Sequence, residues 1–276
     1  VCDENGFAQT KDLPYGIYTV HQVKGWDGRE LLPDFDVYIA KNGQTYRYLA
    51  NNANFESYIK IVKVDAETGK VIPYAGAGFH LYRPDGSLIT QTLTYPEVTT
   101  IDTFYTNDEG YLITPEKLEY GSGYSLVEVF APYGYTLNSE PVYFDVTQDE
   151  ASNEDGVTVI EVVKPNMAQK GAIKISKSGE VFSSVTEADR MYQPVFSVQG
   201  LPGAVYEITA AEDIITPDGT TRYGKGEIVD TVTTDKTGLA ESKPLYLGKY
   251  EIREIKAPYG MVLNTDCLLY TSDAAD

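Results

Sequence analysis

The stretch Tyr124-Ser125-Leu126-Val127-Glu128-Val129-Phe130-Ala131-Pro132-Tyr133-Gly134-Tyr135-Thr136-Leu137-Asn138 decides how this chain is read. It returns as Tyr250-Glu251-Ile252-Arg253-Glu254-Ile255-Lys256-Ala257-Pro258-Tyr259-Gly260-Met261-Val262-Leu263-Asn264. A shorter echo, Tyr18-Thr19-Val20-His21-Gln22-Val23, lies near the start. Each copy follows a turn ending in glycine: Asp3-Glu4-Asn5-Gly6, Asn107-Asp108-Glu109-Gly110 and Asp235-Lys236-Thr237-Gly238. Gly6 to Gly110 is 104 residues and Gly110 to Gly238 is 128, periods of domain size and too long for a solenoid. The chain reads as a tandem array.

A second set of matches lies between these. Tyr58-Ile59-Lys60-Ile61-Val62-Lys63-Val64-Asp65 parallels Ala172-Ile173-Lys174-Ile175-Ser176-Lys177-Ser178-Gly179, and Gly76-Ala77-Gly78-Phe79 parallels Gly203-Ala204-Val205-Tyr206. The second copy carries 13 extra residues, an insert around 181–200 in which Glu187–Met191 is expected to form a helical turn. The matches put boundaries near residues 57 and 169. Residues 1–57 are then the back part of one domain and 58–169 a complete one. Residues 170–276 form a third domain without its last strands. The tail, 267–276, departs from the pattern before it and is read as a scar of truncation.

Short alternating runs rich in Val, Ile, Thr and Tyr, broken by turns such as Pro84-Asp85-Gly86 and Pro217-Asp218-Gly219, predict strands throughout. The expected architecture is all-β: sandwiches in series, the first and last incomplete. With 42% hydrophobic and 12% aromatic residues, 276 residues fill such cores. A net charge of −19 opposes nucleic acid and anionic membranes. No run reaches the roughly 20 apolar residues of a spanning helix. Two cysteines, at positions 2 and 267, make neither a stapled fold nor a zinc ribbon.

Strand alternation assigns faces. Ile59, Ile61 and Lys63 share one, as do Ile173, Ile175 and Lys177. Tyr124, Leu126, Glu128 and Phe130 share another, as do Tyr250, Ile252 and Glu254. A lone inward lysine ordinarily snorkels to water, and a lone glutamate marks where a strand leaves the sheet. Recurrence of both charges on apolar faces in two units favours a buried pair instead. Burial drives such a pair toward neutral amine and neutral acid, a nucleophile beside a proton relay. With a side-chain carboxamide in reach, the product is an amide cross-link.

The ordered set of Lys63-Val64-Asp65, Gly76-Ala77-Gly78-Phe79, Asp235-Lys236-Thr237-Gly238, Gly248-Lys249-Tyr250-Glu251-Ile252-Arg253-Glu254 and Ala131-Pro132-Tyr133-Gly134-Tyr135 resembles the Cna protein B-type domain, also called the SpaA-like prealbumin fold. Such domains build stalks and pilin shafts of Gram-positive surface proteins. The resemblance implies transthyretin-like sandwiches, many with a self-formed Lys–Asn or Lys–Asp isopeptide bond promoted by a glutamate. It assigns the lysine to Lys63 and Lys177 and the catalytic glutamate to Glu128 and Glu254, with the glutamate polarising the acceptor's carbonyl oxygen. The acceptor falls on Asn166, seven residues before Ile173; Asn52 stands seven before Ile59. Asn138 and Asn264, each ten residues after its glutamate, are rival acceptors, read as turn residues. The first unit is degenerate: Gln22 stands for the glutamate and Leu32 for the loop asparagine.

Function follows as a wall-attached extracellular stalk or shaft, with no cofactor, no metal and no chemistry on external substrates. Its partners are neighbouring repeats of its own chain, and peptidoglycan through a sorting signal outside this stretch. The alternative is a module that contacts a glycan or host protein through loops near Trp26 or the 181–200 insert. The histidines, His21 and His80, lack partners at ligand spacing, and the acidic 149–156 loop lacks an alternating ligand ladder.

Overall fold

The computed structural model describes residues 1–154, 156–188 and 190–272, and every regular element among them is a strand. The largest body is a sandwich. One sheet runs in the order Val142–Val146, Gly121–Phe130, Gly78–Tyr82, Phe104–Tyr105. The other runs Ser152–Glu154, Val157–Asn166, Glu56–Asp65, Tyr111–Ile113, with Leu118–Glu119 also paired to Glu56–Asp65. Three of these strands matter most and are named here for what they carry: the lysine strand Glu56–Asp65, the glutamate strand Gly121–Phe130 and the acceptor strand Val157–Asn166. Inward residues of the two sheets fill one core: Ile59, Ile61, Ile160 and Val162 from one side meet Phe79, Leu81, Tyr124 and Leu126 from the other.

The lysine and acceptor strands are parallel neighbours, with Ile61 opposite Val162, Lys63 opposite Lys164 and Asp65 opposite Asn166. A parallel pair cannot be joined by a tight turn, so the remaining strands of the sandwich lie between the two in sequence.

The glutamate strand alternates buried and part-exposed residues from Tyr124 to Glu128, then breaks step. Its register against Gly78–Tyr82 shifts between Glu128 and Phe130. That bulge turns Phe130 outward, 54% exposed, where uninterrupted alternation puts it in the core.

Before this sandwich, Gly16–Val20 and Phe35–Ile39 pair antiparallel. After it, Ile228–Thr233, Val205–Ala210, Gly248–Lys256 and Cys267–Ser272 form a sheet over a second core around Ile173, Ile208, Tyr250 and Ile252. The residues from Cys267 to Ser272 extend this sheet, pairing with Gly248–Lys256 as Val142–Val146 pairs with the glutamate strand. The tail therefore continues the pattern as far as Ser272 and does not break it at Cys267. Residues 273–276 lie outside the described residues.

The insert also differs from its sequence reading. Ser178–Ala188 and Met191–Gly200 form a long antiparallel hairpin, with Ala188 opposite Met191. Glu187 and Ala188 are extended and paired with Tyr192 and Met191, and Arg190 holds a left-handed φ of 61°, where the sequence predicts a helical turn. The run of β-branched and aromatic residues on both arms overrides the local helical preference of Glu187 and Ala188. Asp189 lies outside the described residues.

The two cores meet at a joint of charged groups. Asp65 is fully buried, and its Oδ2 accepts hydrogen bonds from Tyr135 Oη at 3.0 Å and Arg222 Nη2 at 2.6 Å. Arg222 Nη1 reaches Glu67 Oε2 at 2.9 Å, which also accepts from Tyr246 Oη at 2.6 Å. Lys170 Nζ closes the ring on Glu67 Oε1 at 2.6 Å, and both cations lie over the Tyr246 ring. Ile72, Tyr135 and Ala168 form a small apolar cluster beneath. Arg222→Ala would leave the Asp65 carboxylate buried without its cation, an expected cost of about 3–5 kcal/mol. Urea unfolding of the variant reads that loss directly; an unchanged midpoint would mean that the joint does not form in solution.

Candidate functional site

Lys63, Glu128 and Asn166 come together between the two sheets, at 0%, 0% and 1% exposure. Each is delivered by a different strand, and each sits at an inward position of its pleat. Lys63 Nζ donates to Asn166 Oδ1 and lies 2.8 Å from Glu128 Oε1. The amine thus touches both the carboxamide oxygen and one carboxylate oxygen. Asn166 Nδ2 donates to Glu128 Oε2 at 2.7 Å and to the Thr136 carbonyl at 2.8 Å. Two acceptors around Nδ2 fix which end of the amide faces which partner. Glu128 thus contacts the amide nitrogen and not its oxygen, which departs from the polarising role assigned from sequence. One carboxylate oxygen faces the amine and the other faces the group that an acyl transfer would expel.

The three side chains are enclosed. The Phe79 ring lies 5.5 Å from Lys63 Nζ. Burial pulls the Lys63 amine down to about 8, against the attraction of Glu128, which raises it, and with help from the positive charge of Lys164, which lowers it. A lysine so placed is a much better nucleophile near neutral pH than one in water.

Backbone groups set the geometry. The Lys63 amide donates to the Gly110 carbonyl at 2.9 Å, and the Lys177 amide donates to Gly238 at 2.8 Å. Both glycines hold φ of 82°. This is why the turn before each lysine's neighbour strand ends in glycine: a side chain at either position would run into backbone, that of Ile72 at Gly110 and that of Lys177 and Gly200 at Gly238.

Asn138 turns away from the amine. Its Oδ1 accepts from the Glu140 amide at 3.1 Å and its Nδ2 donates to the Pro165 carbonyl at 3.2 Å. Its own backbone amide, however, donates to Glu128 Oε2 at 2.8 Å. Asn264 repeats this on Glu254 Oε2 at 2.7 Å, and its Oδ1 accepts from Asp266 N. In the first segment Gln22 Oε1 accepts from the Leu32 amide at 2.8 Å and from Asn52 Nδ2 at 2.8 Å. No lysine side chain is hydrogen-bonded to Gln22 or Asn52 among the described residues. Lys177 Nζ stands 3.0 Å from Glu254 Oε1, with 19% of its side chain exposed, and no carboxamide oxygen contacts it among the described residues.

Two residues of this neighbourhood escape a sequence reading. Lys164 is 1% exposed, with Nζ on the Glu140 carbonyl at 2.5 Å. Parity along Val162, Lys164 and Asn166 places it inward, but Pro165 beside it argues locally against an interior strand. Thr136 acts only through its carbonyl, which no side-chain pattern reveals.

The other candidates lie apart from this cluster. His21 meets Asp34 at an exposed pair, His80 meets Thr103, and Trp26 is 61% exposed. Among the described residues no group of three or more His, Cys, Asp or Glu is placed to hold a metal, and no helix is long and apolar enough to cross a membrane.

An all-β chain of prealbumin-like sandwiches is the class that this architecture defines. The SpaA family model, a prealbumin-like fold domain, matches residues 57–160 and 197–271, more than half of the chain, and the chain belongs to that family. Over 47 residues it is 45% identical to the trypsin-resistant surface T6 protein of Streptococcus pyogenes serotype M6, a match covering 17% of this chain and 9% of that relative. Among solved structures it is similar to the Bacillus anthracis TIE protein, at 22% identity and a TM-score of 0.47, covering 99% of this chain and 42% of that one. It is also similar to the major pilin subunit BcpA of Bacillus cereus, at 15% identity and a TM-score of 0.32, covering 78% of this chain and 94% of that one. A third is the shaft pilin of Lactobacillus rhamnosus GG, at 14% identity and a TM-score of 0.28, covering 80% and 94%. The chain thus spans less than half the length of the T6 and TIE proteins that it matches.

Gly110→Ala tests the backbone frame of the site. With a positive φ and the Ile72 carbonyl in the way, it should cost about 2 kcal/mol or more, above the range of an unstrained glycine replacement. Gly69→Ala, at a similar φ but in open space, should cost less by denaturant titration. Equal losses would show that the close approach at Gly110 does not constrain the strand.

Proposed function

We propose that this chain is a stretch of the stalk or shaft of a Gram-positive surface protein, and that its middle unit is closed by an isopeptide bond between Lys63 and Asn166. The proposal includes three units in tandem that divide near residues 57 and 169, held outside the cell as spacers and not as an enzyme. The observation that carries it is the enclosed contact of Lys63 Nζ with the Asn166 carboxamide and the Glu128 carboxylate, where the lysine and acceptor strands run side by side.

The chemistry is an acyl transfer within the chain. The neutral Lys63 amine attacks Cγ of Asn166, and the carbonyl oxygen takes up the negative charge. Glu128 Oε1, beside Nζ, accepts the proton that the new C–N bond makes acidic. The carboxyl then gives that proton to Nδ2, which Oε2 already contacts. The tetrahedral intermediate collapses, the Cγ–Nδ2 bond breaks and ammonia leaves. Glu128 ends as the carboxylate it began as, so the reaction runs once and needs no outside reagent.

The units on either side lack parts of this set, and in the first no lysine side chain is hydrogen-bonded to Gln22 or Asn52 among the described residues. In the first, Gln22 offers an acceptor oxygen but cannot carry a proton. In the third, Lys177 and Glu254 have no carboxamide partner among the described residues.

Intact-mass measurement of the purified chain should find it lighter than its sequence by one ammonia. Glu128→Ala and Asn166→Ala should each restore the full mass. Full mass in the wild type would end the proposal. Loss of two ammonias would mean that one of the flanking units also reacts.

A further inference from the structure

Lys164 is a buried titratable group that the reaction above leaves unused. It sits opposite Lys63 across the parallel ladder, at the inward position just before Asn166. Its side chain is enclosed, and its ammonium is held by the Glu140 backbone carbonyl, with no carboxylate in ion-pair contact among the described residues. Two lysines and one carboxylate are therefore buried in one region.

We infer that Lys164 is a positioning residue for the cross-link: its fixed positive charge balances Glu128 and leaves Lys63 as the lysine that gives up its proton. This rests on the reaction proposed above. With all three groups ionised the region holds one excess positive charge, and a low-dielectric interior disfavours that. Release of one proton makes it neutral. The two lysines are not equal candidates for that loss. Lys164 keeps a strong hydrogen-bond acceptor in the Glu140 carbonyl, which suits an ammonium. Lys63 is strongly desolvated, which outweighs the attraction of Glu128, and it faces the carboxamide that it is to attack. Without Lys164, Lys63 and Glu128 form a neutral pair by themselves, and the amine keeps its proton.

The charged groups around Lys63 are few. Glu128 comes from the glutamate strand and Lys164 from the acceptor strand; the facing strand Gly78–Tyr82 offers only Phe79. Asp65, the next inward residue on the lysine strand, is engaged by Tyr135, Arg222 and the turn amides of Glu67 and Thr68. Burial lowers the proton affinity of Lys164, against the attraction of Glu128 and then of Glu140, both of which raise it. The asymmetry between the two lysines therefore lies in their settings: Lys164 is held by the Glu140 carbonyl, and Lys63 faces the Asn166 carboxamide.

The test follows cross-linking in time. The 276-residue chain, recovered unfolded in urea with its full mass, is diluted into buffers from pH 6 to pH 10.5. The fraction lighter by one ammonia is read by mass. Lys164→Met should move the rise in rate with pH upward by about one unit, roughly a tenfold slowing at neutral pH that vanishes at the alkaline end. Lys164→Arg, which keeps the charge, should retain the wild-type profile. A Lys164→Met profile that coincides with wild type overturns the inference while leaving the cross-link itself standing. So does equal slowing of both variants at every pH, which marks a packing role. A wild type that never loses ammonia refutes the underlying reaction instead, so the two failures are told apart.

Discussion

The parallel pairing of the lysine and acceptor strands is the constraint on which the rest depends. It joins Lys63 and Asn166 across 103 residues of sequence and sets the register that lets a long side chain reach forward to a short one. Because the strands are parallel, tension from the start of the first and the end of the second pulls them past each other. The ladder then resists in shear, each hydrogen bond contributing about 1 kcal/mol net. A covalent bond between side chains near the far end of both strands would take that load in their place. An antiparallel pair joined by a turn does not offer this geometry, since its strands are already tethered.

Such a site is costly before it reacts. Lys63 and Glu128 are fully enclosed, and a buried ion pair rarely recovers the desolvation of its two charges. Lys164 adds a third charge in the same region. On the proposed chemistry that strain is temporary. Acylation turns the ammonium into a neutral amide, the excess charge disappears, and the carboxylate is left beside a single cation. The charged arrangement is thus poor as a source of stability but well suited to a reaction that removes it.

Much of this was legible because strands have a period of two and turns have a strict chemistry. Alternation alone put Ile59, Ile61 and Lys63 on one face, and the repeated glycine-ended turns gave the periods of the array. The same rule failed at Phe130, where a bulge that no residue type announces shifts the register by one. It failed again at Glu187–Met191, where pairing along the whole hairpin outweighs a short helical preference. Lys164 was hidden by its proline neighbour. The joint was hidden for a different reason. Arg222 and Asp65 are 157 residues apart on separate cores, and nothing in either local pattern points to the other.

The three glutamate-position residues separate two roles that coincide in the middle unit. Glu128, Glu254 and Gln22 each accept a hydrogen bond from the backbone amide ten residues on, at Asn138, Asn264 and Leu32. That bond ties the end of the strand to the loop after it, and an amide oxygen serves as well as a carboxylate. The fold therefore requires only an acceptor there. Gln22 even keeps the contact to the asparagine of its own unit, Asn52, as Glu128 does to Asn166. What Gln22 lacks is the capacity to take a proton from one nitrogen and give it to another. Gln22 keeps the contacts to the loop amide and to the asparagine without any contact to a lysine, so those two contacts do not by themselves call for a carboxylate at Glu128; the proposed proton relay beside Lys63 does.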